Sequence, residues 1–263
     1  MPDMRPRRDY GRGRRVPARL DPAALREPFC PADLPALDAY IDLQIPRHRI
    51  QSLQPETLAA VRAHYLARVM QIDHAVAALR DAVDRNGHAD NTWIIYVSDH
   101  GMLLGERGLI GHRSFLANAV YVPLWILPPP TVEITRQDEE SDRDSHGLIN
   151  AVALAPTLCA IVGVDPPTGA AAPSLLPAVS GLPIGHDAMI SEYANLLMLE
   201  TMRYKAVFDT NTTAPLALFD LVKDPEERSD IVDATQSSNV FDMLRWQLAQ
   251  SLMPLRSGVL AAV

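Results

Sequence analysis

The sequence predicts an α/β fold followed by a small antiparallel α+β subdomain. Three observations predict it: one long stretch with helical apolar spacing, two short runs that are apolar on both faces, and a later series of evenly spaced strand-like pieces. The chain has 263 residues, enough for a large domain or a domain with a subdomain. Hydrophobic residues make up 48% and charged residues 21%, the balance of an ordinary globular protein. The net charge of −8 argues against a body built to coat nucleic acid or anionic lipid. No apolar run is long enough to span a bilayer, so no membrane association is expected.

Residues 1–50 read as an extended, basic, proline-rich arm with one short helix near Pro35–Leu43. Its arginines include Arg5, Arg7, Arg12 and Arg19, but Tyr10 is the sole aromatic among the first 20 residues. Without stacking residues the arm reads as a solvated end, and no nucleic-acid partner is expected. No apolar h-region follows the arginines, so the reading predicts no secretory signal and a cytoplasmic location. The two cysteines, Cys30 and Cys159, form no zinc pattern and no disulfide framework, which fits a reducing compartment.

The first regular element starts at Pro55. Leu58, Val61, Tyr65, Val69, Ile72, Val76, Leu79 and Val83 recur by threes and fours, one apolar stripe of a long helix. Pro55 and Glu56 suit its first turn, and Asn86-Gly87 suits its stop. Asp90-Asn91 makes a turn, and Thr92–Ser98 reads as a strand buried on both faces, as in a parallel sheet. Tyr121–Leu127 is a second such run, with Pro123 at the strand's start or the sheet's edge. Pro128–Pro130 and Arg136–Ser145 form a surface loop. Asn150–Val162 reads as a helix with Pro156 near its first turn. Asp165–Pro183 is a connector rich in Pro, Gly and Ala.

Ala188–Tyr193, Leu197–Met202, Tyr204–Phe208 and Leu216–Asp220 are spaced as an antiparallel meander. Asp224-Pro225-Glu226-Glu227 carries the residues of a helix start, and Val240–Leu252 closes the chain as a helix. The expected organisation is an arm at 1–50, an α/β core portion at 51–185 and a carboxyl-terminal subdomain at 186–263.

The chemistry concentrates in Ser98-Asp99-His100-Gly101, directly after the first strand. Ligands of open α/β sheets collect at the carboxyl ends of strands. Asp99 offers a hard oxygen and His100 a nitrogen to a divalent cation, and Gly101 permits a sharp turn between them. The tetrapeptide alone fits a strand-end turn, in which Asp99 caps the next segment, better than a metal site.

The wider order of motifs resembles the sulfatase family of the alkaline phosphatase superfamily. It runs from the long helix through Asp90-Asn91-Thr92, the apolar strand, Ser98-Asp99-His100-Gly101, Leu104-Gly105-Glu106-Arg107-Gly108-Leu109 and Val122-Pro123-Leu124. It continues through Ala155-Pro156-Thr157-Leu158, Arg203-Tyr204-Lys205, and Leu218-Phe219-Asp220-Leu221 with Asp224-Pro225 and Glu227, covering roughly residues 55–233 in order. The resemblance implies an alkaline phosphatase-like partial central sheet flanked by helices. It implies a divalent metal ion held in part by Asp99 and His100, with Ca2+ the first expectation and Mn2+ or Mg2+ the alternatives. It also implies a small-molecule anionic ester as substrate. His112 stands where members usually carry the lysine that touches the sulfate, so it is expected to serve catalysis and substrate binding, with Arg113 as a further anion contact. Glu106-Arg107 resembles the spelling of the choline-sulfatase branch; a plain loop ion pair is the other reading.

The family's nucleophile is a formylglycine made in a C/S-x-P-x-R motif, and Cys30-Pro31-Ala32-Asp33-Leu34 does not fit it. The paired aspartates of the family's first strand have no counterpart either. The expectation is therefore a metal-dependent hydrolase of sulfuric esters truncated at its amino end. A non-catalytic scaffold or binding protein, and a phosphate or phosphonate monoester hydrolase of the same superfamily, are the alternatives. A missing half-sheet would leave an apolar edge at Thr92–Ser98, so self-association into a homo-oligomer is expected.

Overall fold

The computed structural model describes residues 54–133, 147–170, 172–180, 182, 184–235 and 239–260. The arm at 1–50, its short helix, Cys30, His146 and the loop Arg136–Ser145 lie outside the described residues. The long helix α1 runs Pro55–Arg85, with Pro55 and Glu56 in its first turn. Asn86 closes it, donating from its side chain to Ala82 O at 2.7 Å, and Gly87 takes the left-handed conformation at φ 72°. The apolar stripe expected to be buried is largely open: Val69 is 42% and Leu79 57% exposed, and Ala63 alone in the helix is buried. Helical spacing specifies a face that needs a partner. It does not supply one, and β2 (Leu103–Leu104) is the main element touching α1 among the described residues.

Strand β1 (Ile94–Val97) pairs with β4 (Leu124–Leu127), and here the sequence reading is corrected. The pair is antiparallel, with Ile94 opposite Leu127 and Val97 opposite Leu124, rather than part of a parallel sheet. A run apolar on both faces calls for cover on both sides and carries no information about strand direction. The ribbon is two-stranded among the described residues, and none of its eight residues is fully buried. Tyr96 and Trp125 sit opposite each other with ring centroids 5.3 Å apart. Pro123 falls just before β4, where its missing N–H costs no ladder bond.

Between the two ribbon strands lie β2, β3 (Ile110–Gly111) and the short helix α2 (Ala117–Val120). Helix α3 (Leu154–Val162) follows, carrying buried Pro156 and Thr157 in its first half. The Thr157 hydroxyl donates to Ala153 O at 2.6 Å and accepts from Leu175 N at 2.8 Å, which pins the connector and its helix α4 (Leu176–Val179) to α3. Cys159 is a half-buried free thiol.

The meander is as expected: β5 (Ala188–Tyr193), β6 (Leu196–Thr201), β7 (Tyr204–Asp209) and β8 (Pro215–Asp220) pair antiparallel in that order. All six residues of β6 are buried, so this sheet is covered on both faces. One face, through Leu196, Met198, Val207 and Phe219, packs against Leu103, Leu109, Phe115 and Leu116. The other, through Leu199, Ala206, Phe208 and Leu218, packs against Val232 of α5 (Val232–Thr235) and Phe241 and Leu244 of α6 (Asn239–Leu260). Helix α6 covers and outruns the expected Val240–Leu252. Asp224–Glu227, expected to start a helix, forms a turn instead, with Glu227 at φ 54° and its side chain drawn inward.

Candidate functional site

The segment after β1 turns through hydrogen bonds of its own. The Ser98 hydroxyl donates to His100 O at 2.9 Å, and His100 N donates to Asp99 Oδ1 at 2.9 Å. His100 Nδ1 lies 2.8 Å from Gly101 O. A carbonyl oxygen only accepts, so Nδ1 carries the proton of the neutral ring and Nε2 keeps its lone pair. That is the tautomer a metal-binding imidazole needs, set by a backbone partner on the other nitrogen. Asp99 Oδ2 stands 3.7 Å from Nε2, and the Asp99 side chain is 86% exposed.

Gly101 serves a purpose other than the expected sharp turn. Its N–H donates to Ala119 O at 2.8 Å, and a Cβ there would overlap the Asn118 carbonyl, whose carbon would be 2.9 Å away. Only a residue without a side chain lets the two backbones approach this closely.

His112 and Arg113 follow β3, both exposed. The β2–β3 turn is held by buried Leu103 and Leu109, and Gly105 N donates to Leu109 O at 2.8 Å. Within it the Glu106 carboxylate accepts from Leu104 N at 2.6 Å, and the Arg107 guanidinium lies 5.9 Å from the Phe219 ring centroid. The turn brings the His112 ring over the His100 ring, with centroids 3.8 Å apart and planes 15° from parallel. Asp99, His100 and His112, expected together, are thus brought together. Imidazole lone pairs lie in the ring plane, so two stacked rings do not converge on one ion at about 2 Å. His112 is placed beside the Asp99–His100 pair rather than within its donor set.

The donor types suit a divalent cation, but two donors do not fill its coordination sphere. Among the described residues no group of three or more His, Cys, Asp or Glu side chains is placed to hold a metal ion. Of the other described histidines, His74 Nδ1 bonds Met70 O within α1, and His64, His88 and His186 are exposed. Ser191 lies on β5, at the meander's edge.

Sequence reasoning missed a buried cluster beneath the site. Lys205 is 1% exposed and bonds Glu227 Oε1 at 2.5 Å, Glu200 Oε2 at 3.1 Å and Phe115 O at 3.2 Å. The Tyr121 hydroxyl donates to Glu200 Oε1 at 2.5 Å. Burial first, then the Glu200 carboxylate, pushes the Tyr121 phenol well above its ordinary pKa. Arg203, two residues before Lys205, pairs with Asp220 at 3.1 Å. The Arg203-Tyr204-Lys205 motif thus binds both later motifs, Asp220 through its arginine and Glu227 through its lysine. One signal was available: a tight turn at Met202-Arg203 puts Glu200 opposite Lys205 in register.

Fold and site together define an α/β chain with an Asp–His pair at a strand end and a two-faced antiparallel meander behind it. The sulfatase family model matches residues 20–164, and the chain belongs to the sulfatase family. It is 29% identical over 188 residues to a choline-sulfatase of Rhizobium meliloti, covering 68% of this chain and 34% of that protein. It is 24% identical over 227 residues to a multifunctional alkaline phosphatase superfamily protein of Trinickia caryophylli, covering 76% of this chain and 43% of the relative. A phosphonate monoester hydrolase structure from Silicibacter pomeroyi superposes with a TM-score of 0.71 at 21% identity, over 89% of this chain and 51% of the other. The fold is therefore the alkaline phosphatase-like α/β fold of the sulfatases. The chain spans between a third and about half of the length of these relatives. Among the described residues no helix is long and apolar enough to cross a membrane.

Proposed function

We propose that this chain supplies the strand-end portion of the active site of a metal-dependent hydrolase acting on small anionic sulfuric esters. The observation that carries the reading is the 2.8 Å contact of His100 Nδ1 with Gly101 O, which leaves Nε2 facing the Asp99 carboxylate 3.7 Å away. Asp99 and His100 would hold one side of a divalent ion, Ca2+ or in its place Mn2+ or Mg2+. When bound, such an ion neutralises charge on ester oxygens. His112 and Arg113 would contact the anionic group, His112 as a hydrogen-bond donor or, once protonated, as a cation.

A second reading, hydrolysis of phosphonate or phosphate monoesters, draws on the similarity to the phosphonate hydrolase structure. Asp99 and His100 suit either ester, because both present anionic oxygens to the metal.

Calorimetric titration of Ca2+, Mn2+ and Mg2+ into the chain, beside Asp99→Ala and His100→Ala, tests the metal role. Binding that both substitutions abolish is expected; binding that survives both unchanged would overturn the reading. Turnover of an aryl sulfate set against a phenylphosphonate ester separates the two reactions.

A further inference from the structure

We infer that Lys205, with Glu200, Glu227 and Tyr121, is a positioning cluster that fixes the geometry of the candidate site from below. The inference rests on the reading of Asp99, His100 and His112 as that site. Its elements are contacts to a single segment, residues 115–121. Lys205 Nζ donates to Phe115 O at 3.2 Å, Glu227 Oε2 accepts from Ala117 N at 2.8 Å, and Glu200 Oε1 accepts from the Tyr121 hydroxyl at 2.5 Å. The Lys205 ammonium also lies 4.6 Å from the Tyr121 ring centroid. Three points along the segment are thus held by charged groups of the meander and the turn that follows it.

The same segment holds the site from both sides. Gly101 N donates to Ala119 O at 2.8 Å, and the Asn118 carbonyl fills the space beside the Gly101 Cα. Ser114 N donates to His112 O at 2.8 Å, just ahead of buried Phe115 and Leu116. His100 therefore hangs from the segment through Gly101, and His112 runs directly into it through the Ser114 turn. Their 3.8 Å ring separation is set by where the segment sits.

The chemistry of the cluster argues for position over stability. Buried ion pairs lose in desolvation much of what they gain in attraction, and well-packed apolar residues would hold the fold as firmly. Apolar packing, however, cannot fix the direction of a backbone carbonyl or N–H. Lys205 and Glu227 each bond one such group in addition to each other, and each is about 1% exposed. Glu227 reaches this place from a left-handed backbone, at φ 54°, that side chains rarely adopt.

The test is nuclear magnetic resonance on the metal-free chain, comparing wild type with Lys205→Met and Tyr121→Phe. Two readouts report the site: the Overhauser contact between the His100 and His112 rings, and exchange of the Gly101 amide. Protection of the amides paired between β6 and β7 reports the fold. The expected result is loss of the ring contact and Gly101 exchange faster by about tenfold in Lys205→Met, with the β6–β7 amides still protected. Tyr121→Phe removes one hydroxyl from a half-exposed ring and keeps the sheet; there Gly101 exchange rises by several-fold. Unchanged ring contact and unchanged Gly101 exchange in folded Tyr121→Phe, or in folded Lys205→Met, would overturn the inference. Neither readout involves a metal or an ester, so it succeeds or fails separately from the functional reading.

Discussion

The imidazoles of His100 and His112 lie face to face, 3.8 Å between centroids, although 11 residues of sequence and a glycine-rich turn separate them. Under the proposed metal role, the ring whose Nδ1 is bound to Gly101 O would ligate through Nε2, and its stacked neighbour would stand outside the same donor set. His100→Ala is expected to lower divalent-ion affinity by more than about a hundredfold, and His112→Ala by less than about tenfold, as for loss of a neighbouring rather than a ligating group. Calorimetric titration of both variants checks this.

Gly101→Ala places a methyl group against the Asn118 carbonyl, where the backbone offers no room. The expected cost is about 1–3 kcal/mol, the usual cost of overpacking. Urea unfolding measures it, and a midpoint unchanged from wild type would mean that the two segments part at little cost.

Lys205→Met leaves Glu200 and Glu227 buried and facing each other without their shared cation. The expected destabilisation is about 3–5 kcal/mol. Replacing all three charges at once, as Lys205→Met with Glu200→Gln and Glu227→Gln, removes the uncompensated charge and recovers a large part of that loss. Denaturant unfolding of both variants gives the comparison.

Asp209 gathers the β7–β8 loop, accepting first from Thr212 N and then from Asn211 N, both at 2.8 Å, with Asn195 Nδ2 at 3.2 Å. These bonds, the Thr212 N–H foremost, hold its carboxyl below the ordinary carboxylate range. A folded-state pKa below the unfolded one gives stability that is present above the unfolded value and lost as pH falls through the folded one. Stability is therefore expected to decline on acidification through the carboxylate range, and Asp209→Asn to flatten that decline. Unfolding midpoints measured from neutral to acid pH provide the check.

Exposed Val69, Ile72 and Leu79 on α1, together with exposed Trp125 and Leu127 on β4, form apolar surface that water does not favour. The chain by itself is expected to associate as concentration rises, and Val69→Glu with Trp125→Lys to reduce that association. Sedimentation over a concentration series decides it; a strictly monomeric wild type would show that these faces are already covered.

Local pattern was enough for α1, the meander and the position of Pro123, because each depends on spacing and turn residues within a few positions. The direction of β1 against β4 was not legible, since apolar residues on both faces do not encode direction. The exposure of Val69 and Leu79 was not legible either, because periodicity names a face and never its partner. At the site, Asp99 and His100 stood out by adjacency after a strand, and His112 by its place in the motif order. Lys205 and Glu227 were hidden because charged residues ordinarily lie at the surface; only their register and long-range pairing bury them.

The contact between Ala117 and Glu227 spans 110 residues, whereas the meander is built from strands that follow one another directly. Hairpins of near neighbours close within about 1–10 μs, so the meander can assemble as soon as it leaves the ribosome. At about 5–20 residues per second, the segment bearing Asp99, His100 and His112 emerges several seconds before the lysine and glutamate that seat it. During synthesis this chain therefore makes its chemical groups first and the frame that orders them last.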